Sequence, residues 1–496
     1  MKRINFILIS WFIFLILLVQ WGCHKDNNNS PANTDTLSAV SLEINEFIWS
    51  KMHNYYLWVD NVPNLSNSQF ANESSWVSYL EGYSDHEKLF NDLLYNHGIV
   101  DKWSWIVDDY VALENQFQGI TLSMGYDFRL IQPDTTSDKI FGFVRYVVKG
   151  SPADLAGMKR GDVFIKVNNQ QLTISNYQSL LIDNNSYILS FASISNYIIT
   201  PNNKSVSLTA IEVHENPIYM DTVLNVNGTK IGYLVYNGFM SDYDIQLNQA
   251  FQYFKDQGIQ KLILDLRYNP GGSVQTAIYL ASMIYSTDTN KVFLESQYNN
   301  PFEAFLEQTY GSNYFISKFA DRIEKTDLTP EIPINSLNLS QLYVITTGNT
   351  ASASEIIING LNPYVSVTTI GTTTVGKYVA SATIKDYDSK GNLNPNHKWA
   401  LQPIILKIAN SVGHTDFVNG FAPKVTAKED ITNLLPFGDL NETLLKATID
   451  YIEGNSVKNF SELKSIDKFR KVADSKDFIP HSSEMYILLN NKKLMP

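Results

Sequence analysis

The spacing of apolar residues divides the chain into stretches that predict different secondary structure. In the first, apolar residues recur three and four positions apart, which predicts a helix beginning near Leu42 and a mainly helical region that runs to about residue 111. The residues that carry this spacing are Ile44, Phe47, Ile48, Met52, Tyr55 and Tyr56. From Gly119 onwards, short apolar runs between turn residues predict strands instead, at 141–148 and 163–167.

From about residue 217 the pattern alternates between strands and helices. The predicted strands are 231–235, 261–266, 342–346, 379–384 and 403–409. The predicted helices are 243–254, 273–285, 352–361 and 441–452. Because this alternation usually lays parallel strands side by side with helices across their faces, it predicts an α/β core with a largely parallel sheet.

Length and charge agree with several folded domains. The chain has 496 residues, more than one hydrophobic core usually supports, and 44% of them are hydrophobic while 18% are charged. The formal net charge is −12. Since nucleic acid is bound through clustered Lys and Arg, this charge argues against nucleic acid as a partner.

The first residues are organised like an export signal. Lys2 and Arg3 precede an apolar run of 14 residues at 6–19, which is short for a membrane-spanning helix. The only cysteine of the chain, Cys23, follows, and a lone cysteine has no disulfide or zinc partner. Its position resembles the lipidated cysteine of bacterial lipoproteins, although Gln20 stands where that signal usually has leucine. An uncleaved anchor and an ordinary signal peptide are the alternatives, and all three place the protein outside the cytoplasm.

The stretch from 149 to 169 resembles a PDZ domain. The residue groups SPA at 151–153, AG at 156–157 and GD at 161–162 occur in the order and spacing of that fold, and Pro152 suits the first turn of a short helix. A PDZ domain binds a peptide by adding it as a strand to a sheet edge, often with capture of its terminal carboxylate. The resemblance puts the carboxylate-binding loop at Gly119, Ile120, Thr121 and Leu122.

Two turns of the predicted α/β core carry candidate chemistry. The first, DLRYNPGG at 265–272, ends with Gly271 and Gly272, whose backbone could turn tightly and present N–H groups to a ligand. Turns of this kind are common in α/β proteins. The second, GNTASASEI at 348–356, places Ser352 at the start of a helix. Ser352 and Glu355 have the spacing of a capping box, which needs no catalysis, but a helix N-terminus also stabilises a developing oxyanion.

A third segment, GTTTVGKY at 371–378, nearly matches the phosphate-binding loop of NTPases. Tyr378 stands where that loop needs a hydroxyl residue for magnesium, and the residues after it predict a strand where a phosphate loop opens a helix. The pattern therefore argues against an NTPase and leaves Lys377 for another task.

Taken together, DLRYNPGG, TASASE and VGK, in this order after a PDZ-like segment, resemble the C-terminal processing peptidases, also called tail-specific proteases. Ser352 and Lys377 lie 25 positions apart, as the nucleophile and the base do in that family. The resemblance runs from about residue 42 to 455. It implies a multidomain α/β protein with a ClpP/crotonase-like serine protease core, a PDZ domain and a helical N-terminal region.

The resemblance implies that Lys377 takes the proton of the Ser352 hydroxyl, which is a weak nucleophile without a base. Burial in an apolar pocket lowers the pKa of a lysine and could leave its amine neutral for this task. The oxyanion would be bound by the N–H of Ala353 and of Gly271 or Gly272.

A third catalytic residue is left open by the sequence. Many relatives have glutamine four residues after the lysine, and this chain has Ser381 there. Glu355 is the other candidate, because some relatives use that position.

The functional hypothesis is a serine endopeptidase of the bacterial cell envelope, held to a membrane by a lipid anchor. It would act on proteins or peptides selected through C-terminal or unfolded segments, without a metal or cofactor, and its oligomeric state is left open. The alternative is a non-catalytic PDZ-type peptide-binding lipoprotein. The predicted divisions are a signal peptide at 1–23, a tether at 24–41, a helical region at 42–112, a PDZ domain at 113–213, a peptidase core at 216–430 and a helical extension at 431–496.

Overall fold

A computed structural model describes residues 37–134, 136–195, 197–325, 331–455, 469–478 and 485–487. The predicted lipidation site Cys23 and most of the predicted tether lie outside these residues. Within them, no helix combines the length and the apolar character that crossing a bilayer requires.

The N-terminal region is helical, as its apolar spacing predicted. Its first helix begins at Ala39, where the Ser38 side chain caps it by accepting the Ser41 N–H at 3.2 Å. The buried face of this helix, with Ile48 and Met52 fully enclosed, packs into the same hydrophobic core as the α/β domain. The elements are α1 (Ala39–Tyr55), α2 (Glu73–Glu81), α3 (His86–Asp92), β1 (Trp105–Val107) and α4 (Tyr110–Phe117).

The next region is built on an antiparallel sheet with its own hydrophobic core. The predicted strands at 141–148 and 163–167 are confirmed as β4 and β5, and the short helix α5 begins at Pro152, as predicted. The elements are β2 (Ile120–Ser123), β3 (Tyr126–Gln132), β4 (Phe141–Val147), α5 (Pro152–Leu155), β5 (Val163–Val167), β6 (Gln170–Gln171), β7 (Ser186–Ser195), β8 (Ile198–Thr209) and β9 (Ile211–His214).

The α/β core contains a six-stranded sheet in which one antiparallel pair precedes four parallel pairings, which confirms the predicted largely parallel sheet. Its strands, in spatial order, are β10 (Ile218–Val226), β11 (Thr229–Tyr236), β12 (Lys261–Asp265), β18 (Gln341–Thr346), β19 (Ser366–Gly371) and β24 (Val425–Thr426). Its helices are α6 (Asp244–Gln257), α7 (Val274–Ile284), α8 (Asn300–Tyr310), α9 (Ala353–Leu361) and α10 (Thr443–Ile452).

A second six-stranded sheet lies across α7 and α9 and shares their apolar core. Its strands, in spatial order, are β13 (Gly272–Ser273), β26 (Met485–Ile487), β20 (Val379–Ala382), β23 (Ile404–Asn410), β14 (Val292–Tyr298) and β15 (Ile316–Lys318). The remaining strands are β16 (Arg322–Ile323), β17 (Ile332–Pro333), β21 (Ile384–Lys385), β22 (Ala400–Gln402) and β25 (Arg470–Asp474).

The segment after α10 is where the structure differs most from the sequence-based expectation. A helical extension was expected at 431–496, and α10 is indeed helical. Beyond it, β25 pairs with the edge strand β3 of the PDZ-like sheet, and β26 enters the second core sheet between β13 and β20. β25 has no apolar run, and β26 begins an apolar run at 485–489 that falls within the expected helical extension. Each strand is stabilised by the sheet that it joins.

The buried carboxyl group of Asp244 at the start of α6 predicts a pH-dependent stability. Asp244 is 5% exposed, and burial raises its pKa to about 7. An aspartate of the unfolded chain titrates near 4, so the folded protein binds this proton more tightly and its stability falls as the pH rises from about 4 to about 7. We expect Asp244→Asn to be more stable than the wild type at pH 8 and to lose most of that advantage at pH 4.

Urea unfolding at the two pH values measures this difference. Asp256→Asn is the matched control, because Asp256 lies exposed on the same helix. An Asp244→Asn advantage that stays constant between pH 4 and pH 8 would contradict the assignment.

Candidate active site

The first two sequence motifs meet at the carboxyl ends of neighbouring parallel strands. β12 leads into the turn 266–272, and its neighbour β18 leads into the turn 347–352. The Thr350 hydroxyl donates to the Leu266 carbonyl at 2.7 Å, and the Ala351 N–H donates to the Asn269 carbonyl at 3.2 Å. The two turns are therefore fastened together through side-chain and backbone hydrogen bonds.

The double-glycine turn is held by Asn269. Its side-chain amide donates to the Tyr236 carbonyl at 2.9 Å and its Oδ1 accepts the Gly271 N–H at 2.9 Å. Gly272 has φ +133°, and a Cβ there would stand 2.2 Å from the Phe239 carbonyl oxygen. The glycine is required because two backbones approach closely. Of the two candidate oxyanion donors in this turn, Gly271 is engaged with Asn269.

Ser352 has an unusual backbone and a buried side chain. Its φ and ψ are 67° and −122°, a combination that L-residues rarely adopt, and it is 0% exposed. Its hydroxyl oxygen has no hydrogen-bond partner among the described residues. Strain of this kind persists where the surroundings enforce it and is concentrated at functional sites. Ala353 begins α9, so its N–H belongs to the first turn, where the helix supplies no acceptor.

The carboxylate of Glu355 joins the serine turn to the lysine loop. One oxygen, Oε2, accepts the Ser352 N–H at 2.8 Å and the Lys377 N–H at 2.9 Å. The other, Oε1, accepts the Thr374 hydroxyl at 2.5 Å and the Gly376 N–H at 2.7 Å. Because a single carboxylate binds both loops, the backbones of Ser352 and Lys377 are adjacent.

The buried position of the Glu355 carboxylate determines the direction in which its pKa is shifted. Glu355 is 0% exposed, and burial raises its pKa even though four donors stabilise the charged form. Its bond to the Ser352 N–H is the return half of the capping box that the spacing indicated. Only this half of the capping box forms, because the Ser352 hydroxyl accepts no hydrogen bond from the described residues. The Glu355 side chain also organises the lysine loop.

The lysine loop returns to the serine turn through Val375, whose N–H donates to the Thr350 carbonyl at 3.0 Å. Lys377 is 0% exposed, and its Nζ lies 4.8 Å from the centre of the Trp103 ring, a distance at which the ring face attracts a cation. Strand β20 follows Lys377, as the argument against a phosphate-binding loop predicted.

Ser381 lies on β20. Its hydroxyl donates to the Met485 carbonyl at 3.1 Å and accepts the Gln402 amide at 2.9 Å. Its proposed role in orienting the lysine stays a prediction. Gln402 and Trp103 were not predicted, since nothing in their local pattern distinguishes them and they reach the site only through the fold. Thr374 belongs to the segment 371–378, but its bond to Glu355 was not predicted.

The predicted peptide-binding residues lie beside the double-glycine turn. Ile120, Thr121 and Leu122 pair with β9, and Gly119 and Thr121 line a pocket that also contains Gly271 and Gly272. Their role as a carboxylate loop stays a prediction. The structure nevertheless brings them against the double-glycine turn.

Charged side chains of the PDZ-like sheet contact the serine turn through Asn349. The Arg129 guanidinium donates to Asn349 Oδ1 at 2.7 Å, and the Asn349 amide donates to Asp474 at 2.8 Å. Burial alone would raise the pKa of Asp474, but Arg145 and Arg129 hold that pKa well below its usual range. A buried ionic network thus ends three residues before Ser352.

Comparison with protein families matches three parts of the chain. Residues 230–423 match peptidase family S41, residues 43–105 match the peptidase S41 N-terminal domain, and residues 143–189 match a PDZ domain. The first two matches together cover more than half of the chain, and the matched core contains the serine turn, the double-glycine turn and the lysine loop.

Curated relatives and a solved structure agree with these matches. A CtpA-like serine protease of Staphylococcus aureus (strain COL) is 26% identical over 389 residues, which are 76% of this chain and 66% of that protein. The carboxy-terminal processing protease CtpA of Bacillus subtilis (strain 168) is 25% identical over 60% of this chain and 55% of its own length. A crystal structure assigned as an S41 protease of Bacteroides fragilis is 26% identical, with a TM-score of 0.63, and covers 82% of this chain and 97% of its own.

The close approach at Gly272 predicts a large effect of a single methyl group. In Gly272→Ala, the Cβ would overlap the Phe239 carbonyl oxygen, so the turn or its neighbour must move. We expect a loss of stability about 2 kcal/mol larger than that of Gly228→Ala. Gly228 is the matched control because its φ is also positive, +85°, while a Cβ there meets nothing within 4 Å. Urea unfolding of both variants checks the difference, and equal losses would contradict it.

Proposed function

Because the chain belongs to peptidase family S41, we propose that it is a serine endopeptidase that cleaves proteins through an acyl-enzyme on Ser352, with Lys377 as the base. The observation that carries the proposal is the shared carboxylate of Glu355, which binds the backbone N–H groups of both residues. The pairing of β18 with β19 and the Val375–Thr350 hydrogen bond bring the two loops together, and Glu355 fixes the backbone of Ser352 relative to that of Lys377.

One proton moves from the Ser352 hydroxyl to the Lys377 amine and then to the leaving amine of the substrate. Ser352 Oγ attacks the carbonyl carbon of the scissile peptide while the neutral Lys377 amine takes the hydroxyl proton. The oxyanion is bound by the Ala353 N–H and by a glycine N–H of the 271–272 pair, and Gly272 is the better candidate because Gly271 is bonded to Asn269. The lysine then gives its proton to the leaving amine, and water releases the acyl group by the same steps in reverse.

Lys377 must shift for this reaction. The Ser352 hydroxyl has no hydrogen-bond partner in the described part of the chain, and the Lys377 Nζ lies over the Trp103 ring. We propose that a side-chain rotation brings the neutral amine to the hydroxyl. Such bonds often form only when substrate is bound. Glu355 acts as a positioning residue, because it fixes the backbone on both sides of this movement.

Substrate selection is assigned to the PDZ domain. A peptide added as a strand to its sheet would run towards the pocket that Gly119 and Thr121 share with the double-glycine turn. We therefore propose that C-terminal or unfolded segments of proteins are the substrates. The names of the relatives, a C-terminal processing protease among them, support this choice.

Loss of either dyad member tests the mechanism. Ser352→Ala removes the nucleophile, and Lys377→Met removes the base while keeping the length of the buried side chain. We expect Lys377→Met to lower the initial rate of hydrolysis of fluorescently labelled casein by about 10²–10⁴-fold, and Ser352→Ala to abolish it. Lys390→Met is the control, since Lys390 is exposed in a turn.

The outcome separates the two hypotheses. If the wild type and both dyad variants are equally inert while unfolded peptides still bind, the protein is a peptide-binding module on a peptidase scaffold. Equal activity in all variants would reject the Ser352–Lys377 mechanism.

We further propose that Cys23 carries a lipid that holds the protein in the bacterial cell envelope. The support is the sequence pattern before it, a positive start and a short apolar run. We expect Cys23→Ser to abolish incorporation of labelled palmitate and to change the membrane-bound fraction of the protein. Gel fluorography after metabolic labelling measures the first effect. Undiminished labelling would contradict lipidation at Cys23.

A further inference from the structure

Two short strands late in the chain, β25 and β26, lie at positions where an extended substrate would pair with the protein. We call residues 469–478 and 485–487 the returning segment. It contains β25 at the edge of the PDZ sheet and β26 between β13 and β20. We propose that the returning segment is an internal competitor of the substrate, and that the place of β26 is the binding site for an extended peptide with an aromatic side chain. This inference rests on the proposed function and names its substrate position.

The first part of the returning segment occupies the PDZ edge. β25 runs antiparallel to β3, with Arg470 opposite Gln132 and Asp474 opposite Arg129. It therefore uses the mode by which a PDZ domain binds a peptide, main-chain addition to an edge strand. Since β3 has β4 on its other side, a second peptide cannot pair with this strand while β25 is there.

The middle part leads from the PDZ domain to the catalytic turns. The Ser475 hydroxyl donates to Asp127 at 2.9 Å, and the half-buried Lys476 ammonium donates to the Tyr268 carbonyl at 2.8 Å. Tyr268 belongs to the turn that carries the double glycine. The segment is thus fixed to both domains within two residues.

The last part lies against the candidate oxyanion turn. β26 is parallel to both of its neighbours, with Met485 opposite Gly272 and Tyr486 opposite Ser273 on one side and Ser381 on the other. One neighbour begins at a candidate oxyanion residue, and the other follows Lys377 by two residues. A peptide strand in this position would pass directly between the two halves of the active site.

A side-chain contact accompanies the backbone pairing. Tyr486 is 4% exposed, and its ring stacks on Phe117 with 4.3 Å between the ring centres. Both rings line one cavity together with Phe239, Met240 and Pro270. Because stacking on Phe117 requires a flat ring, we infer a preference for an aromatic residue in the substrate.

Disruption of β26 in the full chain tests the proposal. Tyr486→Pro removes the N–H that a strand needs for pairing, and Tyr486→Ala removes the ring that stacks on Phe117. We expect both variants to hydrolyse labelled casein about tenfold faster than the wild type, because a larger fraction of molecules has a vacant site. Tyr253→Ala, an exposed tyrosine on α6, controls for loss of a ring. Rates at or below that of the wild type in a folded Tyr486→Ala protein would overturn the proposal.

A binding measurement separates this proposal from the proposed function. A fluorescent peptide with the sequence of residues 481–490, HSSEMYILLN, is added to Ser352→Ala protein with and without Tyr486→Ala. We expect a rise in anisotropy only in the double variant, and a weaker one when the peptide's tyrosine is replaced by alanine. If the peptide binds to the double variant but no variant that retains Ser352 hydrolyses casein, the peptidase proposal is rejected and the proposal about β26 stands. If the wild type hydrolyses casein but the double variant does not bind the peptide, the peptidase proposal stands and the proposal about β26 is rejected.

Discussion

The buried carboxylate of Glu355 is the constraint on which the site depends. Removing a carboxylate from water costs several kcal/mol unless donors replace the water, and here four donors do so. Two of them are the N–H groups of Ser352 and Lys377. If the loops separated, this charge would lose its partners in the interior, so the geometry of the pair and the stability of the core are maintained together.

A second buried network holds the double-glycine turn from the opposite side. Arg267, two residues beyond the end of β12 in the DLR motif, is 1% exposed and binds Asp265 at 2.7 Å and Glu442 at 2.7 Å. Glu442 also caps α10 through the Leu445 N–H. The arginine of this motif therefore anchors the turn to the C-terminal helix, while the glycines face the site. Burial of a complete ionic network favours one arrangement over its alternatives, since a broken one leaves charges unpaired.

The returning segment contacts both the PDZ domain and the core. Asp474 pairs with Arg129 and contacts the Asn349 amide, so the PDZ sheet, the returning segment and the serine turn share one set of charges. A peptide that displaced β25 would also remove Asp474 from Asn349. Occupation of the PDZ edge and the surroundings of Ser352 are for this reason coupled through direct contacts.

Local sequence patterns predicted most of the helices and strands, and they named the pair that we propose as nucleophile and base. Strong patterns, such as the apolar run at 261–266, fixed strands because they are buried on both faces, and the TASASE and VGK motifs singled out Ser352 and Lys377. Trp103 and Gln402 could not be found in this way, because they come from segments far from these motifs in the chain. Three contacts arise only in the folded chain: Gly271 is bonded to Asn269, Glu355 accepts hydrogen bonds from both loops, and β26 lies beside Gly272. These are contacts between strands and turns whose partners lie elsewhere in the sequence, and local spacing carries no information about which edges will meet.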